Sequence, residues 1–222
     1  MSSLDVRVIK IGGSLLEQPE LPTRFRRWLS RQPAARNVLI VGGGKLVDAV
    51  RDLDRTFKLD PITTHWAAVD CMSITVRLIA DLLPEAELAA EWSGLRRRLL
   101  HMLANGHAGM LAFDVVGFLK QIESSLPGAV LSHGWQVTSD SIAARLAVAL
   151  AAGELVLLKS SLPRGQHPTP AELSESGYVD EFFPAVAPGL RALRCVELPS
   201  EKSLGIEEVI VSLPAGKDGS GR

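Results

Sequence analysis

The chain has 222 residues, of which 46% are hydrophobic, 5% aromatic and 22% charged, with a formal net charge of −1. That length suits one large α/β domain and is short for two, and the near-neutral charge argues against a nucleic-acid binder, whose footprint would be a clearly basic domain. Two cysteines, Cys71 and Cys195, stand far apart and in no metal-ligand spacing, which argues against a disulfide framework and reads as two small apolar cytosolic thiols.

VRVIKI (Val6–Ile11) reads as a strand from the outset, so the start is expected to hold no secretory leader. It runs into Gly12-Gly13-Ser14. Thr23 to Ser30 reads as a helix with Thr23 as N-cap after Pro22. A second strand, Asn37–Val41, runs into Gly42-Gly43-Gly44. Lys45 to Leu53 then places Leu46, Val47, Val50 and Leu53 on one helical face. Apolar strands alternating with amphipathic helices predict an α/β three-layer sandwich around a mostly parallel sheet.

Residues 62–83 read as a long helix carrying His65, Trp66, Asp70 and Asp81, and 86–105 as another with Leu95, Leu99, Met102 and Leu103 inward. Met110 to Val116 is a strand candidate. Ser139 or Asp140 opens a helix whose apolar positions Ile142, Ala143, Leu146, Ala147 and Leu150 recur at helical spacing. Gly153 ends it, and ELVLLK (Glu154–Lys159) is a buried strand. The apolar run 143–158 is broken by Arg145, Gly153 and Glu154, so it is no membrane span. Residues 161–172, with three prolines and a glycine, read as a loop. Arg194–Leu198 and Gly205–Leu213 read as strands, and the polar, glycine-rich tail 214–222 as disordered. No repeat or linker divides residues 1–213, which read as one domain.

Two strands therefore end in glycine clusters. Glycine lets an anion approach backbone N–H groups closely, and a following helix adds the positive end of its dipole. Each loop is either half of a polyphosphate cradle or a tight strand–helix turn. The dinucleotide fingerprint fails because it needs glycine at Val47. The P-loop fails because it needs glycine at Leu39 and Ser or Thr at Leu46.

VIKIGGS (8–14), VLIVGGG (38–44) and TSDSIAARLAVALAAGELVLLKS (138–160) resemble the three signature blocks of the amino acid kinase family, and GYVDEFFP (177–184) is a weaker match. Within that family, LPGAVLSHGWQVTSDSIAA (126–144), HWAAVDCM (65–72) and GYVDEFF (177–183) are similar to the branch that phosphorylates [5-(aminomethyl)furan-3-yl]methyl phosphate on the way to methanofuran. The resemblance implies ATP with Mg²⁺ as the phosphoryl source.

It also implies roles for particular residues. Lys10, costly to bury without an anion, would meet the transferring phosphoryl group. Asp140 would orient the lysines or cap its helix. Lys159 would be the second cation, because no later lysine loop is evident. Gly12, Gly13, Gly42, Gly43 and Gly44 would offer N–H groups to the nucleotide. Ser14 either adds a hydroxyl or caps a helix, Lys45 either touches a phosphate or faces solvent, and Ser139 supports the turn at Asp140. Asp180 either meets the nucleotide or is a solvated loop carboxylate. His65, Trp66, Asp70 and Trp135 are acceptor-pocket candidates, with a core role as the alternative for the two tryptophans. Arg96-Arg97-Arg98 reads as a solvated helix face.

No histidine lies in a glycine block and no general base is evident, so an acceptor that arrives ionised is favoured, a phosphate monoester above a carboxylate. The alternatives are an amino acid or carboxylate kinase of the same family and a non-catalytic nucleotide or metabolite sensor. Expected partners are ATP and a small anionic acceptor, in a cytoplasmic homo-oligomer, with neither nucleic acid nor membrane.

Overall fold

A computed structural model describes residues 5–198 and 207–214; the tail expected to be disordered lies, beyond Pro214, outside the described residues. In chain order the elements are β1 (Val6–Ile11), α1 (Leu21–Leu29), β2 (Arg36–Val41), α2 (Gly44–Phe57), α3 (Pro61–Leu82), β3 (Glu87–Ala89), α4 (Trp92–Ala104), β4 (Gly109–Phe113) and α5 (Val116–Gln121). There follow α6 (Ser139–Ala149), β5 (Glu154–Lys159), α7 (Pro170–Glu175), α8 (Phe183–Val186), β6 (Leu193–Glu197) and β7 (Glu207–Ile210). The strands form one sheet in the order β3-β4-β2-β1-β5-β6-β7. Every pairing is parallel except that of β7 with β6.

The period of two along each strand sorts side chains into two cores. Val8, Val38, Ile40, Leu155 and Leu157 face one side, where Ile142, Ala143 and Leu146 of α6 and Phe113 and Phe118 pack. Ile9, Ile11, Leu39, Val41, Val156 and Leu158 face the other, against Phe25 and Trp28 of α1 and Val76 and Ile79 of α3. This is the expected three-layer α/β architecture. Among the described residues no helix is long and apolar enough to cross a membrane.

Several boundaries differ from the sequence reading, each for a local reason. Helix α1 starts at Leu21 with Pro22 in its first turn, where a missing N–H costs nothing, so Thr23 lies inside the helix and is no cap. Glu87–Ala89 is a strand, paired through Leu88 with Ala112, and the helix expected from 86 begins only at Trp92. Strand β4 stops at Phe113, because the Asp114 carboxylate accepts the Val116 N–H (3.1 Å) and starts α5. The stretch 161–172 is not all loop. Thr169 and Glu172 form a reciprocal capping box, with Pro170 at a first-turn position that tolerates it. Helix α6 opens at Ser139, as expected, but its cap is Thr138 rather than Asp140. Within the described residues the last strand covers Glu207–Ile210 and stops short of the expected 213; residues 205 and 206 of that expected strand lie outside them.

Arg145, which only interrupted an apolar run in the sequence, is almost fully buried and binds Glu123 (Nε to Oε1, 2.7 Å). It also donates to the carbonyls of Glu123 (2.9 Å), Leu126 (2.8 Å) and Pro127 (2.6 Å). Glu123 in turn accepts the Leu131 N–H (3.2 Å). One guanidinium on α6 thus fastens the chain that leads into residues 132–138. Truncating one partner of such a pair leaves an uncompensated buried charge, so Arg145→Ala should lower unfolding free energy by about 3–5 kcal/mol in a urea titration. A loss below about 1 kcal/mol, the level of a surface ion pair, would show the network adds nothing to stability.

Candidate active site

The carboxyl ends of the central strands β2 and β1 open on a cleft of about 230 Å³, the place where an open parallel sheet presents ligands with backbone amides and strand-end side chains. Its inner end is built from the two glycine loops, Lys10 and the start of α6. A Cβ on Gly13 would lie 2.4 Å from Gly44 N and 2.6 Å from Gly44 Cα. The loops touch backbone to backbone, and only glycine fits there. Gly44 has φ +54 and opens α2, the left-handed turn that glycine takes without strain.

The glycines are not equivalent. Gly12 N–H donates to Leu158 O (2.8 Å) and Gly42 N–H to Ile11 O (2.9 Å). Both amides extend the sheet and are unavailable to a ligand, which corrects the expectation for these two residues. Gly13 N–H meets no carbonyl among the described residues, and the first amides of α2, from Gly44 onward, have no intrahelical acceptor.

Beside these donors lies a buried charge triad. Lys10 Nζ is 2.8 Å from Asp140 Oδ1, and Lys159 Nζ is 2.9 Å from Asp140 Oδ2. Sheet register explains the meeting. Lys10 pairs with Leu157, so Lys159, two residues on, points to the same face, where the first turn of α6 presents Asp140. Lys159 also donates to the Tyr178 carbonyl and lies 4.4 Å from the centre of its ring. Burial pushes the Lys10 ammonium below its ordinary pKa, and Asp140 pulls it partly back. For Asp140, burial alone would raise the carboxyl, but the two lysines outweigh it and hold it below the usual carboxylate range. The triad carries one net positive charge.

Asp180 is half-buried rather than solvated, and protein donors occupy its carboxylate. It accepts from Thr138 N (3.0 Å), Thr138 Oγ1 (2.8 Å), Ser141 N (3.0 Å) and the Ser141 hydroxyl. Phe182 N–H (3.2 Å) and Phe183 N–H (3.1 Å) complete the set. The 177–183 stretch therefore pins the start of α6 from outside, through Asp180, and Lys159 through Tyr178. Ser139 lines the cleft against Gly42. Ser14 caps nothing; its hydroxyl lies 3.3 Å from that of Ser160. Lys45 points away and pairs with Glu17 (2.8 Å) on the surface.

At the outer end, His65 and Trp135 line the cleft with Val69, Met72 and Val137, whereas Trp66 and Asp70 do not. Trp66 packs against the rings of His65 and His133. Asp70 is exposed and lies 3.7 Å from Lys120, so it is corrected out of the pocket. His65 Nδ1 accepts the Gly134 N–H (3.3 Å), which puts the imidazole proton on Nε2. Burial lowers its pKa, so the ring is neutral at physiological pH. Asp48 and Arg51 of α2 also line this end; the sequence reading missed both, although they sit one and two turns past the glycines. Among the described residues no three His, Cys, Asp or Glu side chains converge as a metal site.

Residues 5–161 match the amino acid kinase family, and the chain belongs to it. Among curated proteins, [5-(aminomethyl)furan-3-yl]methyl phosphate kinase of Methanocaldococcus jannaschii is 23% identical over 68% of this chain and 64% of its own length. The matched region thus spans less than two thirds of that relative. Among solved structures, UMP kinase from Ureaplasma parvum superposes with a TM-score of 0.65 at 13% identity, covering 96% of this chain and 97% of its own. Uridylate kinase from Archaeoglobus fulgidus gives 0.59 at 14% identity, with 94% and 100% covered. Aspartate kinase from Synechocystis gives 0.56 at 18% identity, covering 94% of this chain and 40% of its own.

Asp140 has a pH signature. Its folded-state pKa is depressed, so its contribution to stability is fully present above the unfolded carboxylate value of about 4 and is lost as pH falls through the folded value. The unfolding free-energy difference between wild type and Asp140→Asn should be constant from about pH 5 to 7 and should shrink steadily below about pH 4. A difference independent of pH down to acid unfolding would show that Asp140 is not held ionised by its lysines.

Proposed function

We propose that the chain is an ATP-dependent small-molecule kinase that phosphorylates a phosphate monoester, an aminomethyl-furan methyl phosphate, to its diphosphate. The observation that carries this reading is the shared carboxylate of Asp140, which holds the Lys10 and Lys159 ammonium groups beside two touching glycine loops. Phosphoryl transfer asks for positioning and charge neutralisation rather than covalent chemistry. Two fixed cations with one net positive charge, free amides at Gly13 and Gly44, and a helix N-terminus fit the triphosphate end of ATP.

Bound there, ATP supplies the phosphoryl group and ADP as leaving group, so an ionised acceptor oxygen is all the second substrate must bring. The groups lining the cleft favour an acceptor of that kind. Asp140 is committed to its lysines, and Asp48, which binds Arg51 through one oxygen, stands about one helical turn away from the glycine amides. His65 has its lone pair taken by Gly134 and offers an N–H. With no base free to deprotonate an alcohol, the acceptor oxygen arrives charged. Mg²⁺ would be held chiefly by the nucleotide phosphates and water, as it usually is where few carboxylates are free. Two free cysteines and dependence on ATP fit a cytoplasmic setting.

Lys10→Ala should fold and lose about 10²–10³ in kcat, the usual cost of removing one preorganised charge from a transition state. The purified enzyme with ATP and Mg²⁺ should turn over the furan phosphate in preference to its alcohol, UMP, isopentenyl phosphate and acetylglutamate. A kcat within threefold of wild type removes Lys10 from the mechanism. Preference for the alcohol or acetylglutamate overturns the acceptor class, and nucleotide binding without turnover of any acceptor makes the chain a sensor.

A homo-oligomer is part of the same proposal. Leu46, Leu53 and Phe57 make an exposed stripe along α2, and Ile74, Leu78 and Leu82 one along α3. Exposed apolar residues in register on consecutive helices mark an association surface. Light scattering should return a dimer or larger, and Leu53→Asp with Leu78→Asp should return a monomer. A monomeric wild type at tens of micromolar would reject this face as an interface.

A further inference from the structure

The two ends of the cleft carry opposite charge. The inner end has Lys10 and Asp140, with Lys159 behind on the other oxygen of Asp140; the three carry one net positive charge, reinforced by the N-terminus of α2. The outer end has Asp48 and Arg51, which line the cleft, and Asp54 behind them, one net negative charge.

These three are organised around Trp135. The indole N–H donates to Asp54 Oδ2 (2.7 Å), and the Arg51 guanidinium stacks 5.0 Å from the ring centre. Arg51 Nη1 also holds Asp48 Oδ1 at 2.8 Å. Arg51 is thereby spent on the indole and on one oxygen of Asp48. Asp48 Oδ2 has no partner among the described residues. Between the two ends the wall is apolar, made by Val69, Met72 and Val137, with the neutral His65 beside it.

Asp48 lies one turn along α2 from Gly44, roughly 6 Å along the helix axis. An acceptor phosphate brought up to the terminal phosphoryl group at the glycine amides would put a group on the far side of a small flat ring next to Asp48. The charge of that group follows from the free carboxylate oxygen and the net negative surroundings.

We propose that the acceptor is a compact zwitterion, with its phosphate at the glycine end and an ammonium at the outer end, and that Asp48 is the specificity residue that binds the ammonium, positioned by Arg51 and Trp135. This rests on the phosphate-kinase reading of the cleft. It replaces Asp70, whose carboxylate lies outside the pocket, and it names a selection that the phosphoryl-transfer residues cannot make. Lys10, Asp140 and Lys159 would treat any phosphate monoester alike.

The test compares three furan-methyl phosphates, bearing aminomethyl, methyl or carboxylate in the outer position, by kcat/KM for ADP release and by mass of the diphosphate product. Wild type should prefer the aminomethyl over the methyl compound by about 10-fold, the lower end for one charge-assisted hydrogen bond because Asp48 is largely open to water. Asp48→Asn should bring that ratio to within about threefold of unity. Because the ratio is taken within one variant, partial unfolding cannot imitate the result. If wild type treats the amino and methyl compounds alike, prefers the carboxylate, or keeps its ratio in Asp48→Asn, the assignment is overturned while the kinase reading stands. If none of the three is phosphorylated, the phosphate-kinase reading and this one fall together.

Discussion

A single carboxylate shared by two ammonium groups sets the terms for the rest of the structure. Lys10 and Asp140 are buried, and Lys159 nearly so. Removing such charges from water costs several kcal/mol each after relaxation, and two cations at one carboxylate leave a surplus positive charge that the fold itself does not balance. The surplus is tolerable where an anion is received. It also explains how much structure is devoted to holding Asp140 still: Thr138 caps its helix, Asp180 gathers donors from Thr138 and Ser141, and Arg145 ties the same helix to the chain before the cleft.

The cations come from strands and the carboxylate from a helix start, so their meeting is a property of sheet register. β1 and β5 are neighbours at the centre of the sheet, and Lys10 stands beside Leu157. A slip of one residue in that pairing would turn one lysine to the opposite face, against Phe25 and Trp28. Register here is fixed by two apolar cores, one on each face, and so the position of the site follows from the packing of Val8, Ile9, Val156 and Leu157. The glycine loops are constrained in the same way. Gly12 and Gly42 spend their amides on continuing the sheet, which sets Gly13 and Gly44 where their own amides are free.

The layered architecture was legible because its signals are local. β1, β2 and β5 announce themselves by apolar runs, and α6 by its 3.6-residue period. Lys10, Asp140 and Lys159 could be singled out because a charged residue next to a buried strand or a glycine turn is conspicuous in sequence. What could not be read depends on partners distant in the chain. Glu87–Ala89 has the composition of a helix start and becomes a strand only by pairing with β4. Asp180 looked like one loop carboxylate among several until Thr138 and Ser141 were found around it. Asp70 was the acidic pocket candidate and Asp48 was passed over, because only the packing of α2 against α3 decides which of the two faces the cleft. The Thr169–Glu172 box was visible in principle, but the prolines around it suppressed the reading.

The source of the second cation bears on how the proposed chemistry is organised. A second cation could instead come from a loop after this strand, and a loop cation must be brought into place when substrate binds. Lys159 ends β5 itself and is held on three sides, by Asp140, the Tyr178 carbonyl and the Tyr178 ring. A charge fixed on the sheet before substrate arrives costs no reorganisation when the phosphoryl group develops its charge. The segment that follows, SSLPRGQHP at 160–168, is then released from supplying a charged group. Its prolines are compatible with the proposed phosphoryl transfer on that account. In the proposed reaction the charge that would neutralise the transferring group stays with β1, β5 and α6.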